Sequence, residues 1–209
     1  DFCLSRGLGD VYKRQGIDRD TDIEGVTRMD DGRPSGELCE FAAMFPVMRL
    51  IGSPFRTVGL SEDGLRMFGK VAQWAGVTTA TDLVNELGDE GVATLARITA
   101  EPDSPVRIVP AASALTYAGD PARCLEKLAA AKRLNHDKLH LGMVKLVVDG
   151  SIQGFTARVR WPGYYNGAPN GIWVIAPAEL DATVQAYHDA GVQLHIHTNG
   201  DEATQRAID

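Results

Sequence analysis

Two patterns of apolar residues take turns along this chain: short β-branched or uniformly apolar runs, and longer segments with an apolar stripe every three to four residues. Residues 16–54 are loop-rich, with turns at Asp30-Asp31-Gly32 and Pro34-Ser35-Gly36, and an apolar segment then predicts a helix over 39–48. Ser61 is placed to cap a helix with Leu65, Phe68, Val71 and Ala72 on its stripe, and 77–82 follows as a β-branched strand. A helix over 89–99 carries Val92, Leu95 and Ala96, and 106–112 reads as the next strand. Asp120 followed by Pro121 opens a helix with Cys124, Leu125, Leu128 and Ala131 inward. Residues 143–148 form an apolar strand broken by one charge, Lys145. After a long loop, Pro177 and Glu179 open a helix with Leu180, Val184 and Tyr187 on one stripe, Gly191 ends it, and a strand over 192–197 follows.

Four strand–helix units with uniformly apolar strands mean parallel strands covered by helices on at least one face. No Gly-x-Gly-x-x-Gly turn occurs, which favours a barrel over a doubly wound nucleotide fold. The expected fold is α/β, a partial (β/α)8 TIM barrel.

Composition narrows the function classes. The 209 residues are 44% hydrophobic and 23% charged, ordinary for a globular enzyme or part of one. A net charge of -7 without a basic stripe argues against nucleic acid and against an anionic membrane, leaving a small-molecule substrate as the expected partner. Cys3, Cys39 and Cys124 include no Cys-x-x-Cys pair, so neither a disulfide framework nor a structural zinc site is expected, and a reducing cytoplasmic compartment fits. Residues 1–15 lack periodicity and look like a non-native, adapter-like segment, with 16–209 as the partial barrel domain. No stop signal closes the last helix, opened by Asp201, so an internal fragment of a longer protein is expected.

Chemistry concentrates near the last two strands. Lys145, inside an apolar strand, must snorkel out, pair with a carboxylate such as Asp149, or serve as a Schiff-base or carbon dioxide-carbamylated lysine, because burial disfavours a bare ammonium. Asp149-Gly150 is either a turn signal or part of the catalytic rim at the strand's C-terminal end. The following loop, with Trp161, Tyr164 and Tyr165, is too long and too aromatic for a connector and reads as a substrate wall. His195 and His197 share one strand face, about 6–7 Å apart along it, with His197 nearer the rim. They are core histidines or ligands, and Asp201 either orients an imidazole or caps its helix. His136, His140 and His188 read as surface residues.

The blocks Val144-Lys145-Leu146-Val147-Val148-Asp149-Gly150-Ser151, Thr156-Ala157, Tyr164-Tyr165 with Gly167, and His197-Thr198-Asn199-Gly200-Asp201-Glu202-Ala203 together resemble the amidohydrolase superfamily. Within it they are similar to the N-substituted formamide deformylase-like branch, amidohydrolase family 3, as are Gly36-Glu37-Leu38-Cys39-Glu40 and Ala75-Gly76-Val77-Thr78-Thr79. The resemblance runs from about Gly32 onward. It implies a metal-dependent hydrolase barrel, of which this chain holds roughly the second to fifth strands. It further implies that Lys145, on the fourth strand, is carboxylated and bridges divalent metals, that His197, on the fifth, ligates one of them, and that His195, Asp149 and Asp201 support them.

Trp161, Tyr164 and Tyr165 then contact substrate. The cofactor so implied is one or two divalent ions, zinc by ligand type, with iron or manganese also suited. Hydrolysis of a C–N, amide-type bond by an activated water follows, with the general-base aspartate expected downstream, the fragment inactive alone, and a homodimer open to the longer parent. Thr198-Asn199 departs from the Ala-Ile usual in this block, which bears on substrate more than on metal. Two other readings stand beside it: a barrel lyase forming a Schiff base on Lys145, and a non-catalytic barrel with both histidines in the core.

Overall fold

The computed structural model describes residues 17, 20, 22–23, 25–51, 58–117 and 120–209. The adapter-like segment 1–15, Cys3 included, lies outside the described residues. The chain divides into two compact units, 1–54 and 55–209.

In the first unit the sequence pattern of 16–54, loop plus helix, conceals a hairpin. Strand β1 (Val26–Arg28) pairs antiparallel with β2 (Pro34–Leu38), Val26 opposite Leu38 and Arg28 opposite Pro34. The predicted turn at Asp30-Asp31-Gly32 is the hairpin turn: the Met29 N–H donates to the Arg33 carbonyl at 2.8 Å, and the Asp31 carboxylate pairs with Arg33 at 2.7 Å. Pro34-Ser35-Gly36, expected as a second turn, lies inside β2, where proline is tolerated as the first residue of an edge strand. Helix α1 (Glu40–Ile51) covers the predicted segment and runs slightly beyond it. Ile17 and Val47 are buried together, with Ile23, Val26 and Leu38 packed on them.

The second unit is a four-stranded sheet with helices. In chain order come α2 (Glu62–Trp74), β3 (Thr79–Asn85), α3 (Asp89–Thr99), β4 (Arg107–Ser113), a 3-10 turn (Ala114–Tyr117), α4 (Pro121–Lys132), β5 (Met143–Val147), α5 (Pro177–Asp189), β6 (Gln193–His197) and α6 (Asp201–Ile208). The sheet order is β3-β4-β5-β6 and every pairing is parallel, so neighbours in space are neighbours in sequence and the order never reverses.

Strand period explains which face is which. Ile108, Ala112, Val144 and Leu146 turn toward the helices and join Leu95, Leu128 and Tyr187 in one buried cluster. Lys145, His195 and His197 stand one residue out of step with these positions and occupy the other face. The α4 stripe packs as expected, with Cys124, Leu128 and Ala131 buried.

Helix α2 departs from its predicted stripe. Ser61 does cap it, its hydroxyl accepting the Gly64 N–H at 3.1 Å, but Phe68 and Val71 are exposed, and the buried positions are Gly69 and Ala72. A side chain on Gly69 would crowd Pro105, whose ring lies 3.2 Å from where a Cβ would stand, so the helix packs through its small residues. Strand β3 begins two residues later than the β-branched run and continues through Asn85.

Among the described residues no helix is long and apolar enough to cross a membrane.

Candidate functional site

The parallel register sets the site. Lys145 on β5 lies beside Ser113 on β4 and His195 on β6, and one step nearer the strands' C-terminal ends Val147 lies beside His197. Adjacent strands run about 4.8 Å apart and a two-residue step covers about 6.6 Å. Lys145 and both imidazoles therefore share one face within a side chain's reach.

Lys145 is buried, with 6% of its surface exposed. The expected ion pair with Asp149 does not form: among the described residues the Lys145 amine has no hydrogen bond or ion pair. Burial pushes its pKa down from the ordinary lysine value, favouring the neutral, nucleophilic amine. Ser113, next to it in register, is also buried. The His195 and His197 imidazoles likewise have no hydrogen-bond partner among the described residues.

Asp149 is 1% exposed, and its carboxylate is spent on backbone amides. One oxygen accepts the Asn199 N–H at 2.8 Å, while the other accepts the Arg158 N–H at 2.9 Å and the Gly200 N–H at 2.8 Å. Asp201 neither caps its helix nor meets an imidazole. Gly200 occupies the N-cap position, and the Asp201 carboxylate accepts the Arg160 N–H at 2.9 Å.

The loop between β5 and α5 is pinned by contacts that local sequence patterns do not reveal. The Arg158 guanidinium makes a two-pronged pair with Glu202, at 3.1 Å on each prong, and donates to the Gly171 carbonyl at 2.8 Å. It also lies 5.0 Å from the centre of the Trp173 ring. Asn170 adds a 2.8 Å bond to Glu202. Partial burial pushes the Glu202 carboxyl upward, but its bonds from Arg158 and Asn170 outweigh this and hold it below the usual glutamate range. Arg158 and Glu202 are 44 residues apart, and only the fold pairs them.

Of the three aromatic residues expected to wall a substrate, Tyr164 is tied down. Its hydroxyl donates to the Ala157 carbonyl at 2.8 Å, and Phe155 meets its ring edge-on at 5.3 Å. Trp161 and Tyr165 are 94% and 100% exposed and touch no described part of the site.

An apolar cleft of about 450 Å³ opens between the 3-10 turn and α5. Leu115, Tyr117, Val147, Ile175 and Tyr187 line it, with the Glu179 carboxylate among them. Val147 of β5 lines it, but Lys145, His195 and His197 do not.

His136, expected at the surface, is half-buried. Its ring nitrogen lies 3.1 Å from the Thr99 hydroxyl and 3.2 Å from the Ala96 carbonyl, at the end of α3. His140 and His188 are exposed as expected.

A metal ion would find only part of a donor set on this face. Among the described residues no group of three or more His, Cys, Asp or Glu side chains stands ready to hold one. The donors present fit a partial set: two unengaged imidazoles, and a buried amine that would ligate only after becoming an anion.

The amidohydrolase family model matches residues 8–209. No curated protein matches the chain. Two solved structures are similar in fold, both described as uncharacterized metal-dependent hydrolases. For the one from Pyrococcus horikoshii OT3 the TM-score is 0.63 at 18% identity, covering 96% of this chain and 38% of that one. For the one from Pyrococcus furiosus it is 0.60 at 17% identity, covering 96% and 39%. The chain thus spans about two fifths of the length of these neighbours.

Proposed function

The chain belongs to the amidohydrolase family, and from that membership we propose that it forms part of a metal-dependent hydrolase acting on a C–N, amide-type bond. The observation that carries the reading is Lys145: a buried amine without a partner, in register with one histidine and a step away from another on the same face. An unsatisfied buried amine destabilises a fold, and such groups persist where they serve chemistry.

In this reading Lys145 reacts with carbon dioxide. Its neutral amine forms an N–C bond and releases a proton, and a buried neutral amine becomes an anionic oxygen donor. The carboxylated Lys145 and His197 would hold the divalent ion, zinc by donor type, with iron or manganese also suited. A bound metal of this kind lowers the pKa of a water and polarises the scissile carbonyl. His195, the exposed register partner of Lys145, would support that side of the site.

Tyr164 shapes the loop nearby. Trp161 and Tyr165 would meet substrate only as an exposed rim. The consecutive parallel strands fit a (β/α) barrel, of which they would be about the second to fifth, and the deformylase-like branch rests on the sequence blocks alone. Two donors are too few for turnover, so the chain by itself is expected to be inactive and the reaction to need ligands beyond those described.

The test uses the Lys145 nitrogen. Incubation with 13C-bicarbonate should place a carbamate carbonyl resonance on the wild-type chain and none on Lys145→Ala. Borohydride trapping of a carbonyl compound on Lys145, with no carbamate signal, would instead establish a Schiff-base lyase. Neither signal, together with a His197→Ala change in the full-length protein that alters stability but leaves activity intact, would establish a non-catalytic barrel.

A further inference from the structure

Asp149 is a buried carboxylate with no ion pair to a described Lys, Arg or His, and its acceptor capacity goes to three backbone amides from two different loops. Two of them, from Asn199 and Gly200, belong to the turn that leaves β6 directly after His197. The same turn is tied twice more to the end of β5. The Val148 N–H donates to the His197 carbonyl at 3.0 Å, and the Asn199 side-chain amide donates to the Gly150 carbonyl at 2.7 Å. The third amide, from Arg158, brings in the long loop, which passes so close that a Cβ on Gly200 would collide with the Arg158 carbonyl.

We propose that Asp149 is a positioning residue: by clasping the Asn199, Gly200 and Arg158 amides it fixes the backbone at His197 and so aims the His197 imidazole along the face that carries Lys145. The proposal deepens the metal-site reading and rests on it only for what the imidazole is aimed at. The charge matters as much as the shape. A carboxylate presents acceptors to all three amides, whereas an asparagine in its place has one oxygen and an NH2 group that must oppose at least one N–H. One orientation opposes the buried Gly200 N–H together with that of Arg158, the other opposes the part-buried Asn199 N–H, so Asp149→Asn cannot satisfy the clasp in either orientation.

His195 supplies the internal control, because it lies two residues before His197 on the same strand, is exposed, and is out of reach of the Asp149 clasp. In the metal-free chain, side-chain NMR should find a single χ1 rotamer for His197. In Asp149→Asn the His197 ring should average between rotamers while the exposed His195 ring behaves as in wild type, and the Asn199, Gly200 and Arg158 amides should exchange with solvent at least tenfold faster. Arg158→Lys breaks the pairing with Glu202 but keeps the backbone N–H on Asp149, and should leave the His197 rotamer unchanged.

An unchanged His197 ring in Asp149→Asn, or equal loss of order at His195 and His197, would overturn the proposal and make Asp149 a general structural residue. Should Asp149→Asn fail to fold, the wild-type chain decides. A single His197 rotamer with the three amides exchanging as one slow set supports the clasp. Rotamer averaging at His197, or three unrelated exchange rates, overturns it. Zinc titration of the same proteins keeps the two claims apart: no zinc binding by wild type removes the metal-site reading, while the ring measurement still judges the clasp.

Discussion

Lys145 sits at the point where stability and chemistry pull apart. Replacing its buried, unpartnered amine with an apolar side chain of similar length removes a desolvation cost, so Lys145→Met should raise the urea midpoint, by an amount on the order of 1 kcal/mol or more, while abolishing the carbamate signal. A lowered midpoint would mean that the amine has a partner in solution. Glu202 shows the opposite balance, since its pairing with Arg158 holds it below the ordinary value of about 4.5. A depressed carboxylate stabilises the fold fully above its unfolded pKa, and that contribution is lost as pH falls through the lower folded value. Urea midpoints measured from about pH 6 down to about pH 3 should therefore fall for wild type, and less steeply for Glu202→Gln, with the pair worth about 1 kcal/mol at the upper end.

Within the site, the residues legible in the sequence are those governed by strand period. Alternation alone sets Lys145 apart from Leu146, and His195 and His197 apart from Ile196. The role of Asp149 is hidden at that level because its three partners are 9, 50 and 51 residues away. The loop aromatics are legible as residues but not as orientations, since no period governs a loop.

At the scale of elements, the sequence locates helices better than the faces they bury. Helices α3 and α4 present the stripes their spacing predicts, but α2 buries Gly69 and Ala72 and leaves Phe68 and Val71 in solvent, because Pro105 approaches too closely for a bulky residue. Paired substitutions measure the difference. Leu146→Ala, on the helix-facing side of β5 and fully buried, should cost about 2–5 kcal/mol in chemical denaturation. Phe68→Ala should stay within about 0.5 kcal/mol, and a cost near that of Leu146→Ala would show that the predicted stripe packs after all. The hairpin β1–β2 is hard to see in the sequence because its strands are short and polar on alternate positions, leaving only the turn residues as a signal.

At the scale of the whole molecule, four parallel strands in consecutive order bring the loops after β5 and β6 to one end of the sheet, and the residues proposed for chemistry gather there. The parallel α/β organisation is legible in the sequence because buried parallel strands are apolar on both faces and the intervening helices are amphipathic. The donor set is not, because among the described residues no three His, Cys, Asp or Glu side chains come together.

The central claim is that carboxylated Lys145 and His197 hold a divalent ion together, and zinc titration with and without bicarbonate tests it most directly. Wild type and His195→Ala should bind zinc more tightly in the presence of bicarbonate, by about tenfold or more, and Lys145→Ala and His197→Ala should lose that enhancement. Equal zinc affinity in all four proteins, indifferent to bicarbonate, would contradict it.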